Sequence, residues 1–251
     1  MNCGIVYFSA TGNTEYVAKL FKKELDNYGI KGTLLESTKE KRFEDCYDMY
    51  VIGSPVHCEV FPEYFENYVL KNLRVGRGRK VIIFATQVAN NSPGPYNISQ
   101  KLKARGFKVY GEAIIRMPNN YFVVGFGKTS EPQRQEFIKE AREKVSVLTK
   151  EITANKRQLY NISKVRVALA NGTYSVFKYY FHKWAKKKLA VDNTLCIRCG
   201  ICEKGCPTNN IEMKNTIIFK DKCISCQKCM HICPKNAFTY KGKHFEQYIK
   251  I

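Results

Sequence analysis

The stretch Cys196-Ile-Arg-Cys199-Gly-Ile-Cys202-Glu-Lys-Gly-Cys206-Pro207 recurs as Cys223-Ile-Ser-Cys226-Gln-Lys-Cys229-Met-His-Ile-Cys233-Pro234. Both copies read C-x2-C-x2-C-x3-C-P, which is the spacing that ligates cubane iron–sulfur clusters. Three closely spaced thiolates cap three corners of a cube, and in a two-cluster module the fourth thiolate of each run serves the other cluster. The repeat therefore predicts two clusters and one-electron chemistry.

Disulfide bonds and structural zinc are the alternative readings of these cysteines. A disulfide framework requires an oxidising compartment, and the opening residues MNCGIVYFSATG show no secretory signal pattern. Structural zinc favours two cysteine pairs rather than two triplets that are each followed by Cys-Pro. Iron–sulfur ligation fits the spacing better than either alternative.

Over about residues 190–240 the sequence resembles the bacterial two-cluster ferredoxins. The resemblance implies two [4Fe–4S] clusters with crosswise ligation. One cluster would be held by Cys196, Cys199, Cys202 and Cys233. The other would be held by Cys206, Cys223, Cys226 and Cys229.

Length and charge narrow the classes of function. The chain has 251 residues, enough for two domains, and a formal net charge of +20 at pH 7. No apolar run reaches the roughly 18–20 residues that span a bilayer. We therefore expect a cytoplasmic protein without a membrane span.

Much of the positive charge is concentrated in one segment. Residues 152–191 hold nine Lys or Arg and no Asp or Glu. This segment has three readings: a solvated connector, a docking face for an acidic redox partner, or a patch for nucleic acid or an anionic membrane. Because no nucleic-acid recognition motif is visible, we expect no nucleic-acid partner.

The first 155 residues alternate short β-like runs with helix-like periodicity, which indicates a parallel α/β sheet. The runs at 5–8, 33–35, 49–53, 81–85 and 109–115 predict five strands. Helices are predicted at 14–28, after Pro62, between Pro95 and Gly106, and from Pro132. This pattern fits a flavodoxin-like, doubly wound, five-stranded parallel sheet, followed by a small α+β module that carries the cysteines.

The loop after the first strand has the composition of a phosphate cradle. Glycine allows close backbone approach, hydroxyl and amide groups donate hydrogen bonds, and the helix N-terminus favours an anion. The candidate residues are Ser9, Thr11, Gly12, Asn13 and Thr14. Neither a G-x-G-x-x-G fingerprint nor a Walker loop is present. An ordinary capped helix start is the alternative reading.

This loop resembles the phosphate loop of the flavodoxin family, Ser/Thr-x-Thr-G-x-Thr, and the resemblance covers about residues 1–150. It implies FMN as a cofactor. Two further loops would flank the isoalloxazine ring, through Pro55, Val56, His57, Thr86, Gln87, Val88, Ala89 and Gly94. The choice of the ring-stacking residue stays open among His57, Tyr96 and Tyr121. Residues 117–122 read either as a turn on the sheet edge or as a flavin lid.

Residues 173–189 predict a helix with an aromatic stripe at Tyr174, Phe177, Tyr180, Phe181 and Trp184. We expect this stripe to pack between the two modules. A membrane-surface helix is the alternative.

The layout resembles the flavodoxin–ferredoxin fusion proteins of anaerobes. We expect an FMN domain at 1–155, a basic aromatic connector at 156–189 and a two-cluster domain at 190–251. The expected function is electron transfer between FMN, the clusters and an external, acidic redox partner, carried by ligands rather than by catalytic residues. The alternative is a flavin-dependent reductase of a small organic substrate or quinone, fed by its own clusters. Whether the protein is an enzyme stays open.

Overall fold

The computed structural model describes residues 1–38, 42–89 and 91–251. Its N-terminal region contains a parallel five-stranded sheet in the order β2-β1-β3-β4-β5. The strands are β1 (Asn2–Tyr7), β2 (Lys31–Glu36), β3 (Met49–Pro55), β4 (Lys80–Gln87) and β5 (Lys108–Arg116). The predicted flavodoxin-like fold class is confirmed. β1 begins three residues before its predicted run and ends one residue before the end of that run, whereas the other four strands include their predicted runs and extend beyond them.

Four helices connect and cover this sheet. They are α1 (Asn13–Asn27), α2 (Glu63–Asn72), α3 (Tyr96–Ala104) and α4 (Glu131–Thr153). The sequence specifies their starts: Pro62 and Pro95 precede α2 and α3, and Ser130 forms a capping box with Gln133 at the start of α4.

Alternation along the strands separates two hydrophobic cores, because successive side chains point to opposite faces of a sheet. Ile5 and Tyr7 of β1 pack beneath α1 and α4, whereas Val6 lies in the other core beneath α2 and α3. All strands are covered on both faces, as a parallel sheet requires. The carboxyl ends of β1, β3 and β4 therefore meet at one rim of the sheet.

The C-terminal region is small and built from short elements. Its helices are α7 (Ile201–Lys204) and α8 (Lys228–His231), and its antiparallel pairs are β6 (Leu189–Val191) with β9 (Phe238–Tyr240) and β7 (Ile211–Met213) with β8 (Ile217–Phe219). A separate core centres on Met230 and Phe238. The predicted small α+β module is confirmed.

The two cysteine runs repeat in backbone conformation as well as in sequence. Left-handed φ angles recur at corresponding positions: Arg198 (54°) and Ser225 (54°), Gly200 (72°) and Gln227 (59°), and Asn209 (51°) and Asn236 (46°). Such conformations are unfavourable for side-chain-bearing residues and persist where the surroundings impose them. The two cysteine loops therefore share one backbone conformation at these positions.

The connector forms α5 (Lys164–His182) and α6 (Trp184–Lys188), which are separated at Lys183. The α5 helix packs on the N-terminal region, where Asn171 bonds to Asn97 and the Tyr174 hydroxyl accepts from the Glu63 amide. The α6 helix packs in the C-terminal region. No helix among the described residues has both the length and the apolar character needed to cross a bilayer.

The predicted packing of the aromatic stripe is only partly correct. Tyr174 and Phe181 face the space between the two regions, and Trp184 stacks on Tyr240. Phe177 and Tyr180 are exposed, which contradicts the prediction for them. The cause is geometric, since three residues turn a helix by only about 300°, so steps of three drift off the buried face.

Candidate functional site

The β1–α1 loop lies at the carboxyl rim of the sheet and presents buried polar groups. Gly12 has φ of 107°, a left-handed conformation that glycine adopts without strain, and its N–H donates to Ser9 Oγ at 3.2 Å. The Thr14 and Thr86 hydroxyls share a hydrogen bond of 2.7 Å. Ser9, Thr11 and Thr14 are all buried. The loop is therefore a preformed set of neutral donors at a helix N-terminus.

A cavity of about 160 Å³ opens beside this loop, and we call it the sheet-edge cavity. Nine of the predicted flavin-site residues line it: Ser9, Thr11, Asn13, Thr14, Pro55, Val56, Thr86, Gln87 and Val88. The other lining residues are Ala10, Pro118, Asn119, Asn120 and Tyr121. Neutral donors at one end and apolar walls from Val56 and Val88 fit a phosphate with an attached aromatic ring system.

Four predicted residues lie outside that lining: Gly12, His57, Ala89 and Gly94. Gly94 supports the wall from behind, because a Cβ there would lie 2.8 Å from the Ala85 Cβ and 3.1 Å from Val56 Cγ1. Gly12 allows the left-handed backbone conformation of the loop, and it does not line the cavity.

His57 faces the C-terminal region instead of the sheet-edge cavity. Its backbone pairs with Val60 in a tight turn, and its ring faces the cavity that Ile224 also lines. It lines a second cavity of about 380 Å³, the interdomain cavity, together with Tyr174, Phe181 and Cys223 among others. Burial lowers the pKa of His57 to about 4, so the ring is neutral at pH 7.

Residues 118–121 line the sheet-edge cavity and contact the β1–α1 loop. Asn13 Nδ2 donates to the Pro118 carbonyl at 2.8 Å, and Asn120 Nδ2 donates to Thr11 Oγ1 at 2.6 Å. The Tyr121 hydroxyl hydrogen-bonds to Ser225 Oγ in the second cysteine run. Of the two readings of this segment, the structure places it as a cavity wall.

The C-terminal tail also reaches the phosphate-type loop, which the sequence did not indicate. The Tyr248 hydroxyl donates to Asn13 Oδ1 at 2.5 Å. The Lys250 side chain lies against Gly12, with its Cγ 3.2 Å from where a Cβ would stand. The aliphatic stem of Lys250 makes this contact, and its ammonium lies 3.9 Å from Glu15 Oε2. No local motif marks these residues, because their role depends on where the tail folds back.

The eight repeat cysteines line two separate small cavities. The first cysteine cavity is lined by Cys196, Cys199, Cys202 and Cys233. The second cysteine cavity is lined by Cys206, Cys223, Cys226 and Cys229. Each thus combines three sulfurs of one run with the fourth of the other. No three potential ligands converge on a single-ion site within the part of the chain that the structure describes.

Backbone amides point at the cysteine sulfurs. Asn210 N–H donates to Cys206 Sγ at 3.2 Å, and Ala237 N–H donates to Cys233 Sγ at 3.4 Å. Hydrogen bonds of this kind stabilise a reduced cluster. Burial raises the pKa of the Cys226 thiol to about 12. A thiolate there needs the positive charge of bound iron, so the donor set suits a cluster rather than free thiolates.

The second cysteine run is inserted against the N-terminal region. Ile224 and Cys226 pack against the core beneath α2 and α3. Lys228, between the second and third cysteines of the run, forms an ion pair with Glu36 at the end of β2, with an N–O distance of 3.2 Å. Both side chains are largely buried, so removing the Glu36 carboxylate would leave the Lys228 charge without this partner. The second cysteine cavity therefore faces the rim of the sheet.

Comparisons with known proteins divide the chain at the same place. Residues 4–153 match the flavodoxin domain family, and residues 195–237 match the 4Fe-4S dicluster domain family. The polyferredoxin protein MvhB of Methanothermus fervidus is 35% identical over 63 residues, which are 25% of this chain and 15% of that protein. The pyruvate synthase subunit PorD of Methanocaldococcus jannaschii is 36% identical over 59 residues, which are 22% of this chain and 69% of the subunit.

Among solved structures, oxidised flavodoxin 2 from Bacillus cereus is 21% identical with a TM-score of 0.42, and the match covers 60% of this chain and 99% of that one. The flavodoxin domain implies FMN, and the dicluster domain implies two [4Fe–4S] clusters. Together they establish electron transfer as the general function. The chain belongs to the flavodoxin domain family and carries a C-terminal 4Fe-4S dicluster ferredoxin domain.

Proposed function

We propose that this protein passes electrons between FMN in the sheet-edge cavity, two [4Fe–4S] clusters and an external redox partner. The observation that carries the proposal is the Tyr121–Ser225 hydrogen bond. Tyr121 lines the sheet-edge cavity, and Ser225 lies between Cys223 and Cys226 of the second run. A single hydrogen-bonded pair of side chains thus joins the wall of the sheet-edge cavity to a cluster-binding loop.

The proposed site residues are the crosswise cysteine sets and the sheet-edge lining. Bound FMN supplies the exchange between two-electron and one-electron chemistry, and the clusters carry single electrons. The chain supplies the cradle at Thr11 and Asn13 and the sulfur ligands. It also holds the two sites together, because the ferredoxin-like part is fused and packed rather than encountered by diffusion.

The structure supports an order for the two clusters. The second cysteine cavity faces the sheet rim through Ser225 and Lys228. The first cysteine cavity lies farther out, where Cys199, Ile197 and Ile201 are exposed. We propose that electrons move between FMN and the partner through both clusters in turn. The cluster in the second cysteine cavity, the second-run cluster, exchanges electrons with FMN, and the cluster in the first cysteine cavity, the first-run cluster, exchanges electrons with the partner.

Surface charge and the hydrogen bonds around the sheet-edge cavity favour an acidic protein partner over a small substrate. The basic segment 152–191 makes an acidic protein the proposed partner, since complementary charge speeds encounter. A reductase of a small substrate or quinone would require polar groups free to face the flavin. Asn120 and Tyr121 are instead engaged with Thr11 and Ser225, which favours electron transfer. We propose functional boundaries at 1–155, 156–189 and 190–251.

Matched cysteine variants test the order. Cys199→Ser and Cys226→Ser change the second cysteine of the first and second run, respectively. Iron analysis should give about eight atoms per chain for wild type and about four for each variant. After anaerobic reduction, EPR identifies the remaining cluster, and stopped-flow absorbance follows flavin reoxidation by it.

Cys199→Ser should retain rapid flavin-to-cluster transfer and lose rapid exchange with an added acceptor protein. Cys226→Ser should lose flavin-to-cluster transfer although the first-run cluster is present. The opposite pattern would reverse the proposed order. Fast internal transfer in both variants would show that neither cluster is an obligatory intermediate.

A further inference from the structure

The α5 helix is apolar on two faces, but the fold covers only one of them. On the inner face, Val167 and Ala170 are buried and Tyr174 bonds to the flavodoxin-like region. The opposite side, which we call the outer face, exposes Val165 (71%), Leu169 (63%), Val176 (59%), Tyr179 (73%) and Tyr180 (64%). A contiguous exposed apolar face of this kind marks an interaction surface.

The outer face carries no charge along the helix. With 100° per residue, the five exposed side chains fall within one arc of about 100°. Gly172 lies within this arc, and Ala168 and Thr173 lie just beyond its two edges. The Thr173 hydroxyl donates to the Leu169 carbonyl at 3.0 Å, so its polar group is satisfied within the helix. From Val165 to Tyr180 these side chains make an apolar ridge about 22 Å long.

Positive charge lies at both ends of this ridge. Lys164 is exposed at the first turn of α5, and Lys183, Lys187 and Lys188 are exposed beyond its last turn. The other Arg and Lys side chains of α5, Arg166 and Lys178, form ion pairs with Glu59 and Glu63 of the flavodoxin-like region. The negative charges of these carboxylates are thereby neutralised, so they do not repel an anionic partner at the outer face.

We propose that the outer face of α5 docks on an anionic lipid bilayer surface, with the helix lying in the plane of the headgroups. An apolar face, flanking lysines and aromatic rings at the boundary are the features of interfacial helices. Tyr179 and Tyr180 adjoin the C-terminal lysines, so rings and charges reach the headgroup level together. The proposal goes beyond electron transfer and assigns a location where that transfer takes place.

A second copy of the chain fits this face less well. In an antiparallel pair of α5 helices, Lys164 of each copy would lie near Lys183 and Lys187 of the other. In a parallel pair, each of these lysines would lie near the same lysine of the other copy. No acidic side chain occurs between residues 152 and 191 to offset that repulsion. An anionic surface complements the same charges, each lysine adding to the attraction.

Vesicle co-sedimentation of the loaded protein tests the proposal. The vesicles are phosphatidylcholine alone and an equal mixture with phosphatidylglycerol. The variant is Leu169→Glu with Val176→Glu. Its matched control is Val75→Glu with Val147→Glu, since these side chains are similarly exposed (54% and 50%) and lie away from α5. Flavin and cluster absorbance verify that each protein is folded.

Wild type and control should bind the anionic vesicles, less so at high salt, and the outer-face variant should bind about tenfold or more weakly. Absence of wild-type binding, or equal loss in the control, would overturn the proposal. So would a wild-type dimer that the outer-face variant converts to monomer without lipid, measured by sedimentation equilibrium. That result would identify a second copy as the occupant.

Discussion

The Tyr248→Phe substitution measures how far the C-terminal tail supports the flavin cradle. The Tyr248 hydroxyl donates to Asn13 Oδ1 at 2.5 Å, while Asn13 Nδ2 is held by the Pro118 carbonyl at 2.8 Å. Asn13 is the first residue of α1 and lines the sheet-edge cavity. The substitution keeps the aromatic ring in its contact with His231 and removes only the hydroxyl.

The expected effect follows from the asymmetry of hydrogen-bond energies. A typical bond contributes about 1 kcal/mol, but an acceptor left buried and unpaired costs roughly 1–3 kcal/mol. Asn13 is buried and Tyr248 partly buried, so water can reach the vacated acceptor only in part. We take the lower end, about 1 kcal/mol, which corresponds to an approximately fivefold weaker FMN affinity.

The assay is fluorescence titration of FMN into protein from which the flavin has been reversibly removed, with the clusters intact. The matched control is Tyr240→Phe, since the Tyr240 ring stacks on Trp184 away from the cradle. The control should keep wild-type affinity. An FMN affinity of Tyr248→Phe within about twofold of wild type would refute the coupling of tail and cradle.

Three further perturbations have expected outcomes. Gly12→Val should weaken FMN binding more than tenfold on titration, because φ of 107° strains any side-chain-bearing residue and the added Cβ meets the tail. His57 has a pKa lowered by burial to about 4 from its ordinary 6.5, so the unfolded chain takes up the proton first. The neutral His57 side chain therefore contributes its full stability to the folded protein above pH 6.5, and this contribution is lost as pH falls towards 4. His57→Gln should flatten the dependence of the thermal unfolding midpoint on pH between those two values. Reversing Lys186, Lys187 and Lys188 to Glu should slow electron exchange with an acidic ferredoxin at low salt, leave internal transfer unchanged, and have little effect at high salt, as stopped-flow measurements would show.

The fold could be predicted because its signals are local and periodic. The run Ile5–Val6 alternates between the two cores, and Pro62 and Pro95 mark helix starts that the structure retains. The cysteine spacing carries its own geometry, since three ligands within seven residues must share one site. Such features depend on neighbours in sequence, so the sequence alone reveals them.

The site was less predictable where contacts join distant segments. His57 follows β3 as expected, yet its turn aims the ring at Ile224 rather than into the sheet-edge cavity. Tyr248 and Lys250 reach the cradle only because the tail crosses back after the ferredoxin-like part. Neither residue has a sequence signal, because the contact is set by tertiary packing.

The aromatic stripe shows how a correct period can still be misassigned. The pattern beginning at Tyr174 predicted one buried face, but α5 is apolar over most of its circumference, and a single face cannot bury it all. The spacing of apolar residues shows which face of a helix is buried only when the opposite face is polar. Here Leu169 and Val176 fill the face that should have been polar.

The interface between the two parts determines whether they act as one redox unit. A flexible tether would raise the encounter frequency but leave the distance between centres variable. The buried Lys228–Glu36 pair and the Tyr121–Ser225 bond fix that distance instead. Since breaking a buried ion pair from one side costs about 3–5 kcal/mol, the docked arrangement should dominate. Glu36→Gln should therefore increase domain separation in small-angle scattering and slow internal transfer together, whereas an effect on one without the other would contradict this account.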